Sequence, residues 1–429
     1  MQELNRKIQP VYSNIEKIDI IKANKNRLSN NIPLYTINAG SQDAVKIDFI
    51  FTAGVWYQNA PIISSTTNSL INEGTKNLSS KQIAEKLDYY GAILQLNIDN
   101  DFGIVSFICL NKHLNSVFPI IEDLLKNSIF QQKELDINIT NKKQRFVTNC
   151  LKTSIIAQRK FLEVNFGKDH PYSNKINIED FDKIKQNQII DFYNKFYTSQ
   201  NCRIIASGKI KDSFYDLINS HFGGNDWEKS YDKKQLTYEI ASSQQRKYVE
   251  QKEDAVQSTI RIGKILFNRN NSDFSGMQVL NTVLGGYFGS RLMSNIREDK
   301  GYSYGIQSFL TSFQNSGYFS IVSEVKSEAS KNAVNEIFKE IKKLKDELIP
   351  EAELEIVKNY MMGDLINYFD GPFALSESFR VLINNNLSYE YFETYIDTVK
   401  NITAEKLNQL ANKYFQEETF YNVIAGKYE

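Results

Sequence analysis

The sequence predicts an α+β fold of two homologous domains, each a largely antiparallel β-sheet with helices packed on one face. Three observations lead to this prediction. The chain has 429 residues, more than a single hydrophobic core normally serves. A pair of β-rich runs occurs twice, at matching positions in the two halves. An amphipathic helix follows each pair, as expected of helices that cover a sheet.

The strand pairs establish the repeat. The first is GAILQLNIDNDFGIVSFICL, which begins at Gly91, and the second is GIQSFLTSFQNSGYFSIVSEV, which begins at Gly305. Each consists of two runs rich in β-branched and aromatic residues around a polar turn. Gly305 lies 214 residues after Gly91, and Gly317 lies 214 residues after Gly103. One offset at two separate landmarks indicates a duplication rather than a chance similarity.

The elements after the strand pairs repeat as well. An acidic helix start occurs in each half, QQKELDIN at 131–138 and PEAELEIV at 350–357. Each half closes with a helix, a polar turn and an apolar strand that ends in Gly-Lys, at Gly208 and Gly426. Apolar residues recur at helical spacing just after the strand pairs. They are Leu114, Val117, Phe118, Ile121 and Leu125 in the first half, and Val334, Ile337, Phe338, Ile341 and Leu344 in the second.

A polar segment separates the two halves. It reads GGNDWEKSYDKKQL from Gly223 and SSQQRK from Ser242. This composition is typical of an inter-domain linker. We therefore predict an N-terminal domain at 1–222, a linker at 223–245 and a C-terminal domain at 246–429.

Charge and hydropathy exclude several classes of function. Lys and Arg number 51 and Asp and Glu number 51, so no net positive charge favours nucleic acid as the main ligand. No apolar run approaches the length of a membrane span, and the N-terminus lacks the apolar core of a signal peptide. The chain as written is predicted to be cytoplasmic, or periplasmic if an export segment has been removed.

The histidine count limits metal chemistry. The chain has three histidines, His113, His170 and His221, and no two of them are one helical turn apart. A helical pair of histidine ligands is therefore excluded. We expect no metal and no cofactor in this chain.

A row of hydroxyl side chains opens one predicted helix. The segment PIISSTTNSLINEGTKNLSS, residues 61–80, has the turn-forming Pro61 at its start and Gly74-Thr75 near its end. Hydroxyl oxygens can cap the first turn of a helix. The row is longer than a cap needs; it comprises Ser64, Ser65, Thr66, Thr67, Asn68 and Ser69.

The most specific motif lies in the second half. The stretch LGGYFGSRLMSNIREDKGYSYGIQSF, residues 284–309, has three glycines before a predicted helix through Ile296, then Arg297 and a strand start with Tyr304. Taken singly, Arg297 is an ordinary cation at a helix end and Tyr304 an ordinary strand aromatic.

Taken together, these residues resemble the pitrilysin/insulinase family of inverted zinc metallopeptidases. The similarity is to the branch of the mitochondrial processing peptidases and their two-subunit bacterial relatives. In that family an Arg, six further residues and a Tyr form a pair that reaches toward the scissile peptide, and Arg297 and Tyr304 have this spacing. The tripeptide His170 to Tyr172 also looks like a common family feature.

The resemblance implies that a zinc site has been lost. Catalytic members of the family carry H-x-x-E-H on the first helix, followed shortly by Gly-Thr, and a distal Glu completes the ligands. Counted back from Gly74-Thr75, the motif falls on residues 65–69, so Ser65 and Ser69 replace the two His and Asn68 replaces the Glu. The distal ligand is expected near Gln144 or Arg145. Hydroxyls and amides are poor zinc ligands, and an amide cannot act as a general base.

The resemblance further implies a function in a complex. We expect a non-catalytic subunit of a heterodimeric zinc peptidase, whose homologous partner carries H-x-x-E-H and the zinc. The two chains would close as a clamshell over an unfolded peptide, and Arg297 and Tyr304 would bind the substrate at the partner's site. The alternative is a structural or peptide-binding core subunit with no peptidase role. An independent zinc peptidase is opposed by the histidine count.

Overall fold

The computed structural model describes residue 15, residues 17–227 and residues 236–428. The ends of the predicted first and last domains (1–14, 16 and 429) and the middle of the predicted linker (228–235) lie outside the described residues. The described chain forms two mixed sheets flanked by helices, which confirms the α+β class.

The first sheet has six strands in the order β1-β2-β6-β3-β5-β4. Strands β2 and β6 are parallel and the other neighbours are antiparallel. The strands are β1 (Asn24–Arg27), β2 (Pro33–Asn38), β3 (Ala44–Phe51), β4 (Ile93–Ile98), β5 (Gly103–Leu110) and β6 (Cys202–Gly208).

The second sheet has five strands in the order β7-β11-β8-β10-β9. Strands β7 and β11 are parallel and the rest antiparallel. This order is that of β2-β6-β3-β5-β4 in the first sheet, so the strand order repeats between the halves. The strands are β7 (Lys247–Gln251), β8 (Gln257–Leu266), β9 (Ser303–Ser312), β10 (Gly317–Lys326) and β11 (Tyr421–Gly426).

Helices follow β3 and the β4–β5 hairpin in the first half and β8 and the β9–β10 hairpin in the second, although the halves differ in their number of described helices. Two further segments, Thr282–Gly286 and Met293–Asp299, are π-helical. The first half contains α1 (Ile63–Leu70), α2 (Ser80–Tyr89), α3 (Leu114–Asn127), α4 (Gln132–Cys150), α5 (Thr153–Phe166), α6 (Gln186–Phe196) and α7 (Phe214–Phe222). The second contains α8 (Phe274–Asn281), α9 (Ser330–Asp346), α10 (Glu351–Tyr368), α11 (Gly371–Asn384), α12 (Glu390–Asn401) and α13 (Ala404–Tyr414).

The glycines that close each half have the same backbone conformation. Gly208 has φ +126° and Gly426 has φ +121°, values that residues with a Cβ rarely adopt. A Cβ on Gly208 would lie 2.2 Å from the Ala44 carbonyl oxygen, and one on Gly426 would lie 2.6 Å from the Ser258 hydroxyl oxygen. The repeated Gly-Lys ending thus has a steric cause. In each half the closing glycine lies so close to the neighbouring strand that a Cβ would clash with it.

The two halves exchange one helix each. Helix α5 of the first half packs on β8 and β11 of the second sheet, and the equivalent α11 packs on β2 and β6 of the first sheet. Successive side chains of β6 point to opposite faces of the sheet. Ile204 packs in the core under the first half's own helices, and Ile205 packs in the core that includes α11. Each sheet is therefore covered on both faces, by its own helices on one and by the exchanged helix on the other.

The described part of the predicted linker is ordered. Trp227 is buried in the first half's core, and its indole N–H donates to the Tyr197 carbonyl oxygen at 3.0 Å. The backbone N–H groups of Ala241 and Ser243 donate to the carbonyl oxygens of Phe166 and Val164, at the end of α5. Residues 236–243 thus follow α5 rather than spanning solvent. Among the described residues no helix is both long and apolar enough to cross a membrane.

A buried carboxylate joins the equivalent hairpin turns of the two halves. Asp101, between β4 and β5, accepts a hydrogen bond from the Tyr172 hydroxyl at 2.7 Å and one from the Gln314 backbone N–H, between β9 and β10, at 3.0 Å. Burial raises the pKa of Asp101 from 3.8 to about 6, although both hydrogen bonds favour the ionised form. The junction therefore contains a carboxyl group that titrates close to neutrality.

The Asp101 junction is expected to make stability depend on pH. Because its folded-state pKa lies above the unfolded-state value, the folded protein binds this proton more tightly, so the stabilising contribution is full below about pH 4 and is lost as the pH rises through about 6. The free energy of unfolding of the wild type, relative to Asp101→Asn, should fall by about 2–3 kcal/mol across this window. Urea denaturation at a series of pH values measures it. The exposed-site control Asp212→Asn should parallel the wild type, and parallel curves for Asp101→Asn would disprove the linkage.

Candidate functional site

Helix α1 carries the row of hydroxyls. It begins after Ile62, which has φ +62°, a left-handed conformation that is strained for a β-branched residue. Ile62 makes no side-chain cap, so the hydroxyls do not follow an ordinary N-cap arrangement. Ser64, Thr66 and Thr67 are fully buried, whereas Ser65 and Ser69 are half-buried.

Most of these hydroxyls bond to the helix itself. Ser65 donates to the Ile62 carbonyl oxygen at 3.1 Å, Thr67 to that of Ile63 at 2.9 Å, and Ser69 to that of Thr66 at 3.1 Å. These are the local bonds by which Ser and Thr satisfy themselves inside helices. The row is thus largely an internally bonded helix surface, and Ser65 and Ser69 are its half-buried members.

Asn68 has a structural partner. Its side-chain amide donates to the Tyr197 hydroxyl at 3.0 Å, and Asn68 is 1% exposed. Burial raises the pKa of Tyr197 above its usual range, so the phenol stays protonated. Asn68, which the motif spacing predicts to replace the family's Glu, therefore makes a neutral buried hydrogen bond.

Helix α4 faces this row with Asn138 and Lys142. The Lys142 ammonium lies 3.4 Å from the Ser65 hydroxyl oxygen and 3.2 Å from that of Thr66. The Asn138 amide donates to the Ser69 hydroxyl oxygen at 3.1 Å. The expected distal position near Gln144 or Arg145 is not the one that reaches the row, since both residues are exposed. A lysine lies where a third metal ligand would be needed.

Lys142 is electrostatically unusual. Burial lowers the pKa of its amine to about 7, and the nearby charge of Arg145 lowers it further in the same direction. It makes no ion pair with any residue that the structure describes. In its protonated form, Lys142 held against the two hydroxyls opposes binding of a second cation at the same place.

The donor set does not fit zinc. Zinc in proteins is bound by thiolate, imidazole and carboxylate groups, whereas hydroxyls, amides and an ammonium meet here. Across residues 17–227 and 236–428, no group of three or more His, Cys, Asp or Glu is placed to hold a metal ion. No catalytic step through a metal in this chain follows from these residues.

Arg297 rests on an aromatic ring. It lies in the π-helical segment Met293–Asp299, which continues past the helix end expected at Ile296. Its guanidinium carbon lies 4.6 Å from the centre of the Phe288 ring, a cation–π distance. π-helical turns are frequent at functional sites because they displace side chains from regular helix positions. Phe288 is itself 64% exposed.

Tyr304 projects into solvent from the sheet edge. It is 90% exposed, and its strand β9 is the last of the second sheet. The Tyr302 backbone N–H donates to the Ile296 carbonyl oxygen at 3.0 Å, which ties the end of the π-helical segment to the start of β9. The hydrogen bond between Tyr302 and Ile296 thus joins the segment that carries Arg297 to the strand that carries Tyr304.

Sequence reasoning missed two residues of this site. Lys142 lies in the polar run NKKQRFV, where nothing separates it from its charged neighbours. Phe288 lies among the three glycines that precede the predicted helix, and the motif assigned it no role. An exposed aromatic beside three glycines was the available signal for Phe288.

Two family models match the chain. Residues 38–162 match the model described as insulinase (peptidase family M16), and residues 183–361 match that of the peptidase M16 inactive domain. The matched stretches lie in sequence order and together span well over half of the chain.

Curated relatives are similar over most of their length. An uncharacterized zinc protease of Rickettsia felis is 24% identical over 94% of this chain and 97% of its own. The uncharacterized zinc protease YmxG of Bacillus subtilis is 23% identical over 83% of this chain and 86% of its own. A third protein, the probable inactive metalloprotease YmfF of Bacillus subtilis, is 20% identical over 59% of each chain.

Solved structures show the same fold. A peptidase M16 inactive domain protein from Pseudomonas fluorescens has a TM-score of 0.85 at 20% identity, covering 95% of this chain and 98% of that one. A protease from Helicobacter pylori has a TM-score of 0.87 at 16% identity, covering 95% of this chain and 100% of that one. These findings give one conclusion. The chain belongs to the insulinase (pitrilysin) family of metallopeptidases, peptidase family M16, as a non-catalytic member.

Proposed function

We propose that this chain is the non-catalytic subunit of a two-chain zinc peptidase and that Arg297 and Tyr304 bind the substrate peptide at the partner's zinc site. The observation that carries the proposal is the presentation of this pair. Tyr304 is 90% exposed on an edge strand, and Arg297 rests on the exposed Phe288 ring.

The two side chains suit a peptide carbonyl. A guanidinium and a phenol both donate hydrogen bonds, and neither needs to change protonation to do so at neutral pH. Donors directed at the oxygen on which charge develops are worth about 3 kcal/mol each in the transition state. The pair thus supplies electrostatic stabilisation and leaves proton transfer to the partner.

The partner follows from what this chain lacks. A homologous chain with H-x-x-E-H would supply the zinc ligands and the general base that Ser65, Asn68 and Ser69 do not provide. The two chains would face each other as halves of a clamshell around an unfolded peptide. An extended peptide can add to a free sheet edge, which allows many sequences to be accepted. The compartment is the cytoplasm, or the periplasm if an export segment has been removed.

A purely structural subunit is the second candidate. It would need neither an exposed Tyr304 nor an arginine at the family's spacing from it, so the presence of the pair favours the peptidase role. Copurification of the native complex tests the choice. We expect a homologous chain with H-x-x-E-H to elute with this chain. The complex of the two chains should cleave a fluorogenic peptide. A stable native assembly without such a chain would contradict the proposal.

The Phe288 ring is expected to contribute to turnover through Arg297. A cation–π contact at an exposed site is worth about 0.5–1 kcal/mol, so Phe288→Ala should lower kcat/KM of the complex by about 2- to 5-fold. Phe288→Tyr keeps the ring and should restore the wild-type value. Steady-state kinetics of the two-chain complex measure both variants, and equal losses in both would show that the ring face is not what matters.

A further inference from the structure

A cavity of about 360 Å³ lies in the second half, away from the pair and from the hydroxyl row. Its walls are the middle of β9, the end of α8 with the π-helical turn after it, and the facing sides of α10 and α12. The volume is in the range of small-molecule sites. Since β9 is the outermost strand, one wall also presents a sheet edge without a strand partner in the described chain.

The cavity is the repeat's counterpart of the degenerate zinc site. Helix α8 follows β8 as α1 follows β3, and α10 occupies the place of α4. In the first half these elements bring Ser65, Ser69 and Lys142 together. In the second half they leave an open space lined by different chemistry.

One cation and one carboxylate flank this space. The Arg269 guanidinium donates to the Tyr391 hydroxyl at 3.1 Å and lies 5.2 Å from the centre of the Phe274 ring, so its position is fixed. Asp364 is exposed and makes no ion pair within the described residues. Both act on Tyr395: burial raises the pKa of this phenol, Arg269 lowers it and Asp364 raises it. The two opposite charges therefore lie near the same side chain without neutralising each other directly.

Two acceptors in the wall lack donors. The side-chain oxygens of Gln278 and Asn281 are buried and have no hydrogen-bond partner in the described chain. Buried acceptors of this kind normally find a donor, and leaving each unpaired costs about 1–3 kcal/mol. Both residues line the cavity, so a rotation of either carboxamide would turn its oxygen toward a ligand N–H group.

We propose that this cavity binds a short zwitterionic peptide of two residues, with its ammonium toward Asp364 and its carboxylate toward Arg269. The central amide would meet the carboxamides of Gln278 and Asn281 and the free edge of β9. Tyrosine rings at the mouth, from Tyr360 and Tyr368, would cover the side chains. The site is independent of the proposed peptidase role, because it uses neither Arg297 nor Tyr304.

Titration calorimetry of the full chain with L-alanyl-L-tyrosine tests the proposal. We expect a Kd below about 1 mM and a rise in Tm at saturation. The N-acetyl and C-terminal amide forms of the same dipeptide each remove one charge and should bind at least about tenfold more weakly. Free tyrosine keeps both charges without the central amide and should also bind more weakly.

Asp364→Asn should weaken binding of the dipeptide at least about tenfold, because the carboxylate is the partner of the ligand's ammonium. Asp364 is exposed and its side chain makes no ion pair or hydrogen bond with the described residues, so the variant is expected to fold normally. Glu355→Gln removes an exposed charge from the same helix outside the cavity and should bind as the wild type does. No binding by the wild type, equal binding of the blocked dipeptides, or equal binding by Asp364→Asn would each overturn the proposal.

Discussion

Replacing Arg297 by Ala or Tyr304 by Phe is expected to lower kcat/KM of the two-chain peptidase by about 10²-fold each. Each substitution removes one hydrogen-bond donor from the substrate carbonyl, and loss of a single donor of this kind typically costs 10²–10³-fold in rate. Tyr304 is 90% exposed and Arg297 lies over a surface ring, so neither change leaves a cavity in the core. The fold and the assembly should be unaffected.

The double variant distinguishes one shared oxygen from two separate contacts. If both donors bind the same oxygen, the double variant should lose less than the product of the single losses, because the remaining donor compensates in part. Lys300→Ala and Tyr89→Phe are matched controls, since they change an exposed cation near Arg297 and an exposed tyrosine in the other half. Both should retain wild-type kcat/KM.

The assay is cleavage of a fluorogenic peptide by the reconstituted complex, with gel filtration to verify assembly. A loss that appears only as weaker assembly would assign the pair to the subunit interface. Unchanged kcat/KM in both single variants would leave this chain as a scaffold and would favour the structural alternative.

The duplication could be predicted because its landmarks have local causes. Gly208 and Gly426 are fixed by a left-handed backbone against a neighbouring strand, and such constraints leave glycine in the sequence. The exchange of α5 and α11 left no comparable signal. An apolar helix face shows that a helix is buried, but it does not show whether the sheet it covers belongs to its own half or to the other.

The candidate site could be predicted only where spacing along the chain carried the information. Arg297 and Tyr304 are close in sequence, and the hydroxyl row is continuous. Lys142 is far from Ser65 in sequence. The two residues meet only because α4 packs beside α1. Of the five polar residues in the run NKKQRFV, Asn141, Gln144 and Arg145 are exposed, and tertiary packing alone decides that Lys142 faces Ser65.

Lys142 leads to the second large prediction, which concerns zinc. A chain carrying Ser65→His and Ser69→His should bind zinc poorly, because Lys142 lies against the same helix face and in its protonated form repels the metal and supplies no ligand. Adding Lys142→Glu removes the repulsion and provides a carboxylate. The triple variant should bind one zinc per chain at least about 10²-fold more tightly than the double variant. Loss of a residue that only hydrogen-bonds to a metal ligand typically costs 10–100-fold in affinity, and loss of a ligand itself should cost more.

The choice of positions protects the fold. Ser65, Ser69 and Lys142 are half-buried and open to solvent on one side, so larger side chains have room. Asn68 is left in place because it is buried and bonded to Tyr197, and a carboxylate there would be desolvated. Circular dichroism and Tm verify that each variant remains folded before its metal content is compared.

The register of α4 decides which acidic substitution works. Arg145→Glu, placed in the same Ser65→His and Ser69→His background, makes the same change of charge one turn further along, where the side chain is exposed. If Lys142 marks the third ligand position, this control should bind zinc no better than the double variant. Competition with a chromophoric chelator and elemental analysis of the dialysed proteins measure the affinities.

Equal affinity in the Lys142→Glu and Arg145→Glu variants would show that net charge, not the position facing Ser65, governs the site. Equal affinity in the double and triple variants would show that Lys142 does not exclude the metal. The predicted order instead requires that this one ammonium, held 3.4 Å from the Ser65 hydroxyl oxygen, keeps the helix pair from binding zinc.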